Sequence, residues 1–361
     1  MKIITLVLLA GISISAYSQT TLIANNNPGA APGTASNPNV FTGATALTDA
    51  FTAASAGDII YIVPGGNNYG ALIITKSITI FGIGLDPDKD GAALSLMTNV
   101  SIKASDVRIS GITFTDLVSI TLDPAGSVIS NIMIDKCLFL RLLRNTNGDA
   151  GNIIIQNCIG GDGITGTGDQ AIQLETSYSN VRIANNIFHG NGNTQGGTLD
   201  MINGADIEHN LFISSTSGSA QRAFGAVTNC NIRNNIFYGI RAQASNTFTG
   251  NNIDNNITNF CSDNTIQGGN GNVLTNNLEG VDPQLVNVPF SVRYNFSDDP
   301  SLIPGSPCEG AADDGTDIGL FGGGSPMDIR FTPLPLVQVI TIPPTVSQGN
   351  DMAVNVKAKG N

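Results

Sequence analysis

The chain has 361 residues and a formal charge of −12, from 16 Lys+Arg against 28 Asp+Glu, with 42 Gly, no Trp and 12% charged residues. Its 41% hydrophobic content is too high for disorder, and its length can bury a sizeable core, so a folded protein is expected. The acidic balance and the lack of a Lys/Arg cluster argue against nucleic acid as a partner.

Met1 and Lys2, the apolar stretch from Ile3 to Ile14 and the small residues around Ala16-Tyr17-Ser18 read as an export signal over residues 1–18. The mature chain is then expected to begin near Gln19, secreted or at the cell surface. No other segment reaches the roughly 18 apolar residues of a membrane span. Ala46, Leu47, Ala50, Phe51 and Ala54 fall at helical spacing and Gly57 follows as a stop, which predicts an amphipathic helix. Asp58 to Gly65 then reads as a strand and turn. Asp86-Pro87-Asp88-Lys89-Asp90-Gly91 places oxygen ligands at alternate positions before a glycine, the pattern of a calcium loop. The Glu that completes an EF-hand is absent, since Met97 stands in its place, so Asp86, Asp88 and Asp90 are a candidate Ca²⁺ site beside the plainer reading of a solvated acidic loop.

From residue 109 the chain repeats. Ile183-Ala184-Asn185-Asn186-Ile187-Phe188 returns as Ile207-Glu208-His209-Asn210-Leu211-Phe212, as Ile232-Arg233-Asn234-Asn235-Ile236-Phe237, and more loosely at Ile109, Ile134, Ile155, Ile253 and Leu274. Matched positions Ile112, Cys137, Cys158, Asn186, Asn210, Asn235, Asn256 and Asn277 lie 21 to 28 residues apart. Each copy alternates apolar and polar residues before the Asn pair and none has a helical period, so each is a strand, a turn and a strand. Such units repeated in one direction make an all-β, single-stranded parallel β-helix. Stacked coils put Ile109, Ile134, Ile155, Ile183, Ile207, Ile232, Ile253 and Leu274 in one apolar column, with Phe114, Phe139, Phe188, Phe212 and Phe237 in another. The bend asparagines are expected to bond the turn backbone and the amide of the next coil. The predicted helix becomes a lid over the first turn, where an open strand edge would otherwise recruit other chains.

Through Ala54-Ser55-Ala56-Gly57-Asp58-Ile59-Ile60-Tyr61-Ile62-Val63-Pro64-Gly65 and Lys76-Ser77-Ile78-Thr79-Ile80-Phe81-Gly82-Ile83-Gly84, the chain resembles the pectin-lyase-like right-handed parallel β-helix superfamily. Gly305-Ser306-Pro307-Cys308 and Gly315 to Gly322 are similar to the closing segment of secreted bacterial members. The resemblance and the usual hand of parallel crossovers imply a right-handed helix over residues 19–325. It leaves function open among lyases, hydrolases, epimerases and adhesins. Residues 326–361 depart from the repeat and read as a tail or short β extension.

The resemblance extends to polygalacturonases, which place three carboxylates and a His on neighbouring coils. Asn147, Asp169, Gln170 and His189 sit in that order, but only Asp169 and His189 keep the required chemistry, and hydrolysis needs two carboxyl groups. The alternative reading makes Asp169 a turn residue and His189 an outward polar one. Lyase chemistry needs Ca²⁺ and an Arg or Lys base on an outward strand face; Arg108 and Arg182 occupy equivalent outward positions, with Arg141, Arg144, Arg222 and Arg241 near other turns. The catalytic candidates are thus Asp169, His189 and Arg182, weighed against turn and salt-bridge roles. Five cysteines are too few to staple the fold, and Cys261 with Cys308 is an even choice between disulfide and thiols. The functional expectation is a monomeric secreted protein that associates with extracellular polysaccharide along a regular polar face. A polysaccharide lyase or diverged glycoside hydrolase, and a non-catalytic surface or adhesion protein, are the alternatives.

Overall fold

The computed structural model describes residues 19–85, 94–121, 128–145, 149–161, 170–174, 178–190, 197–214, 221–243, 247–261, 263–268, 270–289, 294–327, 336–341 and 355–359. Successive coils contribute strands to three parallel sheets, of 12, 8 and 9 strands, which form the sides of a β-solenoid. Ile109 pairs with Ile134, Ile134 with Ile155, Ile155 with Ile183, and Ile183 with Ile207; the row continues through Ile232 and Ile253 to Leu274. All but Leu274 are buried in the main core, so like side chains lie over like at the ~4.8 Å strand spacing. Each large side chain buried in this way contributes roughly 1.5–3 kcal/mol.

The bends explain the Asn-Asn pairs. The first member of each pair takes a left-handed backbone: Asn157, Asn185, His209, Asn234, Asn255 and Asn276 all have φ between 50° and 57°. Asn adopts that conformation at little cost, which Ile or Val could not. The second member turns its amide inward. Asn186 donates from both its backbone N and its Nδ2 to Asn210 Oδ1 at 3.0 Å, and its Nδ2 also reaches Ile155 O at 3.0 Å. Asn210 repeats this toward Asn235, and Asn235 toward Asn256. Cys158 ends the run by donating its N–H to Asn186 Oδ1 at 2.9 Å. Groups that leave the strand ladder at the corner therefore find partners one coil away.

The aromatic column is less regular than its spacing suggests. Phe188, Phe212 and Phe237 stack with ring centroids 5.3 and 5.1 Å apart; Phe224 joins them from the eight-stranded sheet, and Phe248, outside the strands, stacks on Phe224. Between Phe139 and Phe188 the same register position is Gly160, where an added Cβ would lie 2.8 Å from one ring and 2.9 Å from the other. The two rings close over the glycine.

The helix Ala46–Ala53 buries Ala46, Leu47 and Ala50, and Lys76 sits over the Phe51 ring while its Nζ hydrogen-bonds Ala54 O near the helix end. Two strands absent from the sequence expectation, Thr21–Asn25 and Val40–Thr42, extend the 12-stranded sheet beneath it. The segment 281–327 does not simply close the far end. Its Val288, Tyr294, Cys308, Ile318, Leu320 and Met327 form a second apolar cluster with Ile159, Ile187, Leu211, Ile236 and Ile257, so it runs along the outer face of the nine-stranded sheet. Cys261 and Cys308 are both free thiols, which corrects the disulfide option; Cys308 lies buried in this second cluster. In the tail, Leu336–Thr341 and Asn355–Lys359 pair as an antiparallel hairpin. Among the described residues no helix is long and apolar enough to cross a membrane.

Candidate functional site

The outer face of the 12-stranded sheet carries a linked array of ion pairs. Register places Arg108, Met133, Ile154 and Arg182 in one outward row, and Ser110, Asp135, Gln156, Ala184, Glu208 and Arg233 in the next. Arg108 therefore meets Asp135 at 3.2 Å, and Asp135 also accepts from Ser110 Oγ at 3.1 Å and Gln156 Nε2 at 3.3 Å. Three coils on, Glu208 lies between Arg182 at 2.6 Å and Arg233 at 2.7 Å, and Arg233 continues to Asp313 at 3.1 Å. Arg182 Nη1 donates to Gln156 Oε1 at 3.3 Å, which links the two groups.

Burial alone would raise the Glu208 pKa, but the hydrogen bonds and charges of Arg182 and Arg233 outweigh it and hold the carboxyl below its ordinary value of 4.5. A carboxyl depressed in the folded state contributes stability above its unfolded pKa and loses it as pH falls through the folded one. The stability difference between wild type and Glu208→Gln is therefore expected to be constant from about pH 7 to pH 5 and to shrink below about pH 4. Urea unfolding across that range checks it; a gap unchanged at pH 3 contradicts the arrangement.

The two catalytic candidates among the described residues, Arg182 and His189, lie on different sheets and do not converge. Arg182 lies on the face just described, committed to Glu208 and Gln156. His189 follows Phe188 on the nine-stranded sheet, pairs with Ile213, and is 1% exposed, because residues 294–327 cover that face and Tyr294 N donates to His189 Nε2 at 3.2 Å. Its outward register is as expected, but its exposure is not. Asp169, Asp86, Asp88 and Asp90 lie outside the described residues. Among the described residues no group of three His, Cys, Asp or Glu side chains could hold a metal ion.

Sequence reasoning missed the second role of the first bend residue. Asn185 Nδ2 donates to Leu320 O and Gly322 O, each at 2.9 Å, and Asn234 accepts Gly319 N at 2.9 Å through its carbonyl. Between them His209, 2% exposed, lies under Gly322 and Gly323, with Nε2 3.5 Å from Asp314. These three positions form the track on which the C-terminal segment docks. Three of the thiols are poor nucleophiles: burial pushes Cys230 up to about 11 and Cys308 up to about 12, and raises Cys158 well above the usual range.

No family model matches this chain, and no curated protein matches it. Among solved structures, the crystal structure of pectate lyase Pel9A aligns with a TM-score of 0.48 and 12% identity, over 84% of this chain and 96% of that chain. The likeness is one of fold. Lyase activity is a property of that protein, and the residues above are described on this chain alone.

Proposed function

We propose that this is an extracellular protein that associates with polysaccharide along the exposed corner leading into the 12-stranded sheet. The observation that supports the reading is a column of side chains held in place by one another. Asn131 Nδ2 donates to Asp106 Oδ1 at 2.7 Å, Asn152 Nδ2 to Asn131 Oδ1 at 3.0 Å, and Asn180 Nδ2 to Asn152 Oδ1 at 2.6 Å. All four are solvent-exposed, and all have positive φ. Each amide has two donors and an acceptor oxygen with two lone pairs, so each keeps hydrogen-bonding capacity toward solvent after serving its neighbour. A linear polymer of hydroxyls laid along the axis meets the same group about every 4.8 Å, and side chains already ordered lose less entropy on binding. The arrangement binds rather than reacts: His189 is covered by Tyr294, and Arg182 is paired with Glu208.

Affinity electrophoresis of the folded protein through gels containing pectate, alginate or neutral glucans tests the reading. Retardation is expected in at least one of them, and it should weaken in Asn152→Gly, since glycine accepts the φ of 51° there without strain. Equal mobility in every gel removes the proposal and leaves the surface or adhesion role. Unsaturated products or reducing ends released from any of these polymers would make the protein a lyase or hydrolase instead.

A further inference from the structure

The dipeptide Asn-Gly occurs twice among the described residues, at Asn203-Gly204 and Asn270-Gly271, and the glycine φ is 70° in the first and 78° in the second. Glycine has no Cβ, so its amide nitrogen approaches the side-chain Cγ of the preceding asparagine more freely than that of any other residue. Whether the two groups react depends on what holds them. Asn203 is held: its Oδ1 accepts Thr228 Oγ1 at 3.0 Å and Asn229 Nδ2 at 2.8 Å, and Gly204 N donates to Thr228 O at 2.9 Å. Those partners all belong to the next coil, whose strand Val227–Thr228 pairs with Ile202–Asn203. Asn270 lies in the last coil, just before the strand Val273–Thr275 that ends the 12-stranded sheet, so no further strand of that sheet braces it. Asn270 and Gly271 are exposed, and among the described residues the Asn270 side chain has no hydrogen-bond partner and Gly271 N donates to no acceptor.

We infer that Asn270 is a site of self-modification by deamidation, with water as the only co-reactant. Gly271 N bonds to Asn270 Cγ, the Cγ–Nδ2 bond breaks, and the Gly271 amide proton leaves with that nitrogen as ammonia, closing a cyclic succinimide. Water then opens the ring at either carbonyl. The product is aspartate or, with the main chain rerouted through Cβ and Cγ, isoaspartate; nothing is oxidised or reduced. Either product adds a negative charge to a chain whose formal charge is already −12. The isoaspartyl form also inserts a methylene into the backbone at a corner where Asn270 O accepts Gly250 N at 3.1 Å. No polysaccharide is needed for the reaction, so it stands or falls apart from the proposed function.

The test incubates the whole folded chain in mildly alkaline buffer, where the glycine amide gives up its proton more readily, and follows both sites by peptide mapping with mass spectrometry and an isoaspartate assay. Asn270 is expected to convert at least about tenfold faster than Asn203, because reaction at Asn203 must first break three hydrogen bonds. In concentrated urea neither site is held, and the two rates should agree within about twofold. Asn229→Gly removes one donor to Asn203 at a φ of 54° that glycine accepts. It should speed conversion of Asn203 and leave that of Asn270 unchanged. An Asn270 that persists in the folded chain, equal rates at the two sites in the folded chain, or a tenfold difference that survives in urea overturns the inference.

Discussion

Replacing Asn210 with Ala is expected to lower the unfolding free energy by roughly 3–5 kcal/mol, far more than loss of an ordinary surface amide. Asn210 is fully buried and serves three coils at once. Its Oδ1 accepts both the backbone N and the Nδ2 of Asn186 at 3.0 Å. Its Nδ2 donates to Ile183 O at 2.9 Å and to Asn235 Oδ1 at 3.0 Å. Alanine strands those groups in the core, where each buried unpaired donor or acceptor costs about 1–3 kcal/mol. Asn231 also makes a coil-to-coil bond, to Asp206 Oδ1 at 2.8 Å, but it is exposed and water can replace its partner. Asn231→Ala should therefore change stability by no more than about 0.5 kcal/mol. Asn210→Cys should fall between the two, because the protein already places Cys158 in this column, where its Sγ donates to Gln156 O at 3.1 Å. Equal losses for Asn210→Ala and Asn231→Ala in urea unfolding would contradict the assignment.

Phe212→Ala is expected to cost about 3–5 kcal/mol as well, by a different mechanism. The ring is fully buried and touches Phe188, Phe224 and Phe237 at centroid distances of 5.3, 5.3 and 5.1 Å. Its removal leaves a cavity that three rigid rings fill poorly. Since each coil contacts mainly its neighbours, the damage should stay local. Amide hydrogen exchange should speed up in Ile187–Gly190 and Ile236–Tyr238 while the helix Ala46–Ala53 keeps its protection. Uniform acceleration over the whole chain would show a single cooperative unit instead.

The two predictions separate the contributions that make a solenoid from a repeat. The Ile column supplies nonspecific burial, and any large apolar residue would serve it nearly as well. The bend asparagines set the coil register, because a slip of one residue would break several buried hydrogen bonds together. Cys137 and Cys158 mark where the chain gives up that specificity: Cys137 N meets Cys158 Sγ at 3.4 Å, a weaker acceptor than an amide oxygen.

Much of the architecture was legible in the order of residues. Spacing of 21 to 28 residues and a period-two pattern place Ile183 over Ile207, since in a stack of coils sequence period and spatial register are the same quantity. The candidate sites were less legible. His189 reads as an outward polar group, and its register agrees, but its burial depends on Tyr294, 105 positions away. Asn185 meets Leu320 across 135 positions. The amino-acid order alone determined the parallel coil, its apolar columns and its capping helix, because those arise from near-neighbour periodicity. Tertiary structure decided which lateral face the C-terminal segment covers, and so which polar groups stay open to a ligand, because that contact has no period and depends on the chain folding back on its own stack.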